Sequence, residues 1–137
     1  PIQIFHQIQH SKPMTKRNRL LFAAMMLLPL GLAAQSPVGL WKFSVPTQDG
    51  KMIPLTVNIA DNGTFALDFG ADGTIDTKGK YSMDHDTMTI EETEGTECTA
   101  VGVYTIKVDE KTMTMTRVSD GCPNRGGPEG VMKMDRG

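Results

Sequence analysis

The sequence predicts an all-β fold: a small eight-stranded antiparallel up-and-down barrel with one disulfide, or alternatively a two-sheet β-sandwich. Three observations predict it. Apolar side chains recur at every second position in short runs from residue 39 onward, the period of a half-buried strand. Turn signals rich in Gly, Asn and Asp separate the runs, and no stretch after Gln35 carries helical periodicity. The only two cysteines, Cys98 and Cys122, stand just outside the ends of one pair of runs.

The first run alternates from Gly39 to Val45, with Trp41, Phe43 and Val45 on one face. After the turn Thr47-Gln-Asp-Gly50 comes a second, with Ile53, Leu55, Val57 and Ile59 inward and Pro54 at a position without a ladder donor. Asp61-Asn62-Gly63 is a hairpin signal, because Asn-Gly tolerates the positive φ of a tight reversal. Phe65, Leu67 and Phe69 form the third face. Beyond the turn Gly70–Gly73, a long fourth strand is expected through Ile75, Thr77, Gly79, Tyr81 and Met83, with Gly79 marking a bulge or bend. Asp84-His85-Asp86 turns the chain into a fifth strand that carries Met88 and Ile90 and is expected to dissolve at Glu91–Gly95. Tyr104, Ile106 and Val108 mark the sixth strand, Met113 and Met115 the seventh. After a Gly- and Pro-rich loop from Gly121 to Gly130, the eighth holds Met132, Met134 and Arg136.

In a meander the loops alternate between ends, so the loop after strand five (Cys98) and the loop after strand seven (Cys122) fall at the same end. A Cys98–Cys122 disulfide fits this topology, and a loop of that length contributes roughly 3 kcal/mol in the chain-entropy model.

Upstream, Met14-Thr-Lys-Arg-Asn-Arg19 is basic, Leu20–Leu32 is apolar and Ala33-Ala34-Gln35 is small, the order of a secretory signal peptide. Cleavage is expected after Ala34, with Ala33 the nearest alternative; residues 1–13 read as an upstream extension and 35–137 as the barrel domain. Export to the periplasm or medium follows, where a disulfide persists. The segment from Gln35 onward carries ten Lys and Arg against sixteen acids, a formal charge of −6, which disfavours nucleic acid or an anionic membrane as partner. It has no apolar stretch long enough for an integral membrane helix.

Gly39-Leu40-Trp41 at the start of strand one resembles the Gly-x-Trp signature of the lipocalins and their calycin relatives, and the Cys-containing segment through Ser119-Asp-Gly-Cys-Pro-Asn-Arg125 is similar to a group of short exported bacterial proteins of lipocalin-like type. The resemblance spans Ser36–Gly137. It implies an eight-stranded barrel that holds a small apolar or amphipathic ligand, and it implies that Arg136 packs over Trp41 as a structural closure of the barrel.

Strand parity offers Phe43, Phe65, Phe69, Tyr104, Met113 and Met115 as ligand contacts. Arg117 shares the parity of Met113 and Met115, so it is expected inward near the disulfide end, pairing with a ligand carboxylate or with a loop acid such as Glu97 or Asp120, unless a bulge turns it outward; Arg125 is a second candidate at the same end. No metal or cofactor is expected. His85 is the only histidine after the leader once His6 and His10 are set aside. Asp68, Asp72 and Asp76 have part of a calcium-loop spacing, but Gly79 stands where the bidentate glutamate belongs, so a hairpin turn is the expected role. No nucleophile and base assemble, so the expectation is a binding protein and not an enzyme. The alternative function is a filled barrel that acts through its surface.

Overall fold

Eight antiparallel strands follow one another in chain order around a closed barrel: β1 (Gly39–Pro46), β2 (Met52–Ile59), β3 (Thr64–Phe69), β4 (Thr77–Asp84), β5 (Thr87–Glu94), β6 (Gly102–Val108), β7 (Thr112–Asp120) and β8 (Val131–Arg136). The structure, a computed structural model, describes residues 35–137. The upstream extension, the signal peptide, His6 and His10 lie outside the described residues. No helix among the described residues is long and apolar enough to cross a membrane.

The alternation in sequence sets the register. A slip of one residue would turn every apolar side chain of a strand outward, so each ladder is fixed by burial of one face. Trp41, Leu55, Val57, Ile59, Phe65, Met88, Ile90, Tyr104, Met113, Met115 and Met134 are buried inside the barrel. The expected break at Gly79 is present as a register shift between Lys78 and Gly79. Only glycine fits there: a Cβ at Gly79 would lie 2.3 Å from Phe65 Cζ and 2.5 Å from the Glu91 carbonyl oxygen.

Three details depart from the sequence reading. β4 begins at Thr77, and Ile75 is half exposed in the preceding turn, because the Gly70–Asp76 reversal is organised by carboxylates. Asp68 accepts from Asp72 N (3.1 Å) and Gly73 N (2.8 Å), and Asp76 accepts from Phe69 N (2.7 Å). The acids with calcium-like spacing therefore serve backbone amides. β5 does not dissolve at Glu91 but runs to Glu94, held by pairing with β4. A second register shift falls between Val103 and Tyr104, where Val103 faces Ser119 and Tyr104 faces Arg117.

The two ends of the barrel differ. At the base, the Trp41 indole is fully buried, donates to Pro37 O (2.7 Å) and lies under the Arg136 guanidinium, 4.2 Å from its ring centroid. Arg136 also donates to Glu110 O (3.1 Å) and Val38 O (3.3 Å), tying the start of β1, the β6–β7 turn and the chain's last strand together. The seam between β1 and β8 is formed only here, by Trp41↔Arg136 and Lys42↔Asp135. Continued in register, residues 43–46 would face 134–131, but these stretches are not paired with each other. At the opposite end, the mouth, stand the loops after β1, β3, β5 and β7, the last two joined by the Cys98–Cys122 disulfide with 5.9 Å between Cα atoms.

Candidate functional site

The interior is not filled. A cavity of about 1040 Å³ runs down from the mouth, slightly larger than the ~300–1,000 Å³ typical of ligand sites. Its deep wall is apolar, with Val57, Ile59, Phe65, Met88, Ile90 and Met115 supplied by β2, β3, β5 and β7. Its rim carries Thr47, Gln48, both disulfide cysteines and residues 123–128. All eight residues of the unpaired seam, 43–46 and 131–134, border it as well, so the cavity reaches the side of the barrel between β1 and β8.

The β7–β8 loop is held over the mouth by a polar hub centred on Asp120. Asp120 Oδ2 accepts from Arg125 Nε (2.8 Å) and from the Tyr104 hydroxyl, while Oδ1 accepts from Arg125 Nη2 (2.7 Å) and Cys122 N (2.7 Å). The side chains of Asp120 and Arg125 are 1% and 9% exposed, so this bidentate ion pair is largely removed from water. Burial drives the Asp120 carboxyl toward its neutral form, but Arg125, Tyr104 and Cys122 N together outweigh burial and hold its pKa below the ordinary carboxylate value. Tyr104 is pushed up to about 12, first by burial and then by the adjacent Asp120 carboxylate. Arg125 Nη2 also donates to Ala100 O, linking the hub to the β5–β6 loop.

Arg117 turns up toward this loop. Its Nη2 donates to Arg125 O (2.8 Å) and Gly127 O, and it does not border the cavity. The loop backbone passes so close that a Cβ at Gly126 (φ +82°) would meet the Tyr104 hydroxyl at 2.9 Å and Arg117 Nη2 at 3.2 Å. Arg117 thus acts on the carbonyls of the β7–β8 loop, and Asp120, one of the acids expected to pair with it, pairs instead with Arg125.

Of the side chains expected from parity to meet a ligand, Phe43, Phe65, Phe69 and Met115 border the cavity, and so does Arg125, the candidate from the loop after Cys122. Tyr104 and Met113 are fully buried in the barrel's core and do not. His85 is exposed on the β4–β5 turn with φ +55°, its Nδ1 2.8 Å from Asp84 Oδ1. Sequence reasoning missed Glu92, which follows Met88 and Ile90 in parity and borders the cavity. The period of two was the available signal, and it was obscured by the surrounding acids.

Comparison with family profiles, curated proteins and solved structures gives no match for this chain. What is shown is the architecture: an all-β, eight-stranded antiparallel closed barrel with one disulfide.

Proposed function

We propose that this is an exported lipocalin-like binding protein that holds a small apolar or amphipathic molecule in its barrel. The observation that carries the reading is the apolar cavity open at the disulfide end. An eight-stranded barrel is just wide enough either to be filled by its own side chains or to hold one small ligand. Here the side chains leave about 1040 Å³ unoccupied, which favours a carrier over a filled barrel acting through its surface. The lipocalin-like Gly39-Leu40-Trp41 and the Arg136–Trp41 stack at the base support the family resemblance. A disulfide at the mouth is in keeping with an oxidising compartment such as the periplasm.

Native mass spectrometry of the purified protein tests the reading directly, through a co-purifying lipid-like mass. Leu67→Trp places an indole into the cavity from the partly buried face of β3. Binding of a fluorescent apolar probe should fall at least about tenfold in this variant, a loss of about 1.4 kcal/mol. Equal probe binding by the variant and the parent would refute an interior site.

A further inference from the structure

The C-terminal half of β5 places its glutamates on two faces. Glu91 and Glu94 point outward to lysines of β4, Lys80 and Lys78, each pair at 3.2 Å. Glu92 points inward, and its partner across the ladder is Gly79. A glycine offers nothing to answer a carboxylate, and no larger residue fits there, because a Cβ would collide with Phe65 and with the Glu91 carbonyl. Glu92 therefore stands partly buried on the cavity wall, with no ion pair among the described residues.

Two other charged residues border the cavity, Arg125 and Lys133. Arg125 is forked onto Asp120 through Nε and Nη2, so its charge is already answered by a protein carboxylate; its Nη1 is buried without a partner, and Glu92 attracts the guanidinium only at longer range. Lys133 lies on the outward parity of β8, exposed beside the unpaired seam. Arg117 faces the loop carbonyls. The charge that a molecule inside the barrel meets is thus the Glu92 carboxylate. An ionised carboxylate only accepts hydrogen bonds, and partial removal from water strengthens both its attraction for a cation and its repulsion of another carboxylate.

We infer that the cavity selects amphiphiles with a primary ammonium head and discriminates against carboxylates of the same chain length, with Glu92 as the specificity-determining residue. The inference rests on the carrier reading and gives it a ligand class. It also replaces the carboxylate-headed ligand that an inward Arg117 would have called for.

Dodecylamine, dodecanoic acid and dodecanol, titrated calorimetrically into the full protein at neutral pH, form a matched set of probes. Dodecylamine should bind about tenfold more tightly than dodecanoate, the effect of one hydrogen bond to a charged group. Glu92→Gln should remove most of that preference with little change in the unfolding midpoint, because the carboxylate it removes makes no ion pair and only the longer-range attraction for Arg125 is lost. Glu91→Gln makes the same change in net charge on the outer face and should leave the preference intact. Equal or tighter binding of dodecanoate overturns the inference, as does an equal loss of preference in both variants, which would trace it to the chain's overall charge. If dodecanol binds and the ammonium brings no advantage, the inference falls while the carrier reading stands. If none of the three binds, the carrier reading falls and the inference with it.

Discussion

Replacing Asp120 with asparagine keeps the shape of the hub and removes its charge. In the parent, four donors converge on the carboxylate: Arg125 through two nitrogens, Cys122 N and the Tyr104 hydroxyl. The asparagine amide keeps one acceptor oxygen and turns two N–H groups toward a site that supplies only donors. Arg125, 9% exposed, is left as an uncompensated charge, and breaking a buried pair in this way costs about 3–5 kcal/mol. At about 4–8 °C per kcal/mol for a domain of this size, the midpoint should fall by at least about 12 °C. Arg125→Met leaves Tyr104 and Cys122 N still donating to Asp120, so its expected loss is smaller, about 1–3 kcal/mol. The double variant removes both charges and should be more stable than Asp120→Asn alone, giving a coupling energy of about 1.5–3 kcal/mol. Urea unfolding followed by Trp41 fluorescence under oxidising conditions measures all four corners of the cycle. A loss below about 1 kcal/mol for Asp120→Asn, or strict additivity in the double variant, would refute the account of the hub.

Reduction of Cys98–Cys122, or Cys98→Ser with Cys122→Ser, should lower stability by about 3 kcal/mol, measured by thermal unfolding with and without reductant; an unchanged midpoint would show that the bridge constrains little. Gly79→Ala pushes a methyl group against Phe65 and the Glu91 carbonyl and should cost about 1–3 kcal/mol in urea unfolding; an unchanged midpoint would show that the wall there can give way. Tyr104 holds its proton up to about 12 when folded, against ~10 for an unperturbed phenol. Its contribution is therefore complete below pH ~10 and is lost as pH rises toward 12, so the urea midpoint should fall less steeply across that window in Tyr104→Phe. Asp120, with its lowered value, works in the opposite sense: its contribution is present above pH ~4 and is lost as pH falls further.

The strands were legible because burial of one face imposes a period of two, and because side chains such as Trp41, Phe65 and Met113 are too apolar to sit on the other face. The disulfide was legible from topology, since loop alternation puts Cys98 and Cys122 at one end. The candidate site was less so. Parity placed Phe43, Phe65 and Met115 on the cavity side, but it cannot say how far a long side chain travels along the barrel axis, and Arg117 uses its length to reach the loop above. The Arg125–Asp120 pair depends on the path of a loop rich in Gly and Pro, which has no period to read. Glu92 was concealed by composition: four acids in Glu91–Glu97 suggest a solvated segment until Lys78 and Lys80 on β4 are seen to answer the outward ones.

The incomplete seam has a consequence for how the protein behaves among copies of itself. A fully closed barrel hides every backbone donor and acceptor of its ladder, whereas here residues 43–46 and 131–134 are left without each other as partners. Such stretches are templates for a strand from another molecule. The residues in them limit that risk: Pro46 has no N–H to offer, Lys133 places a charge beside the opening, and each stretch is too short to hold an incoming strand by pairing alone. The same gap that widens the cavity is thus defended against edge-to-edge association, and mutations that replace Pro46 or Lys133 with β-branched apolar residues would turn an opening in the wall into a site of aggregation.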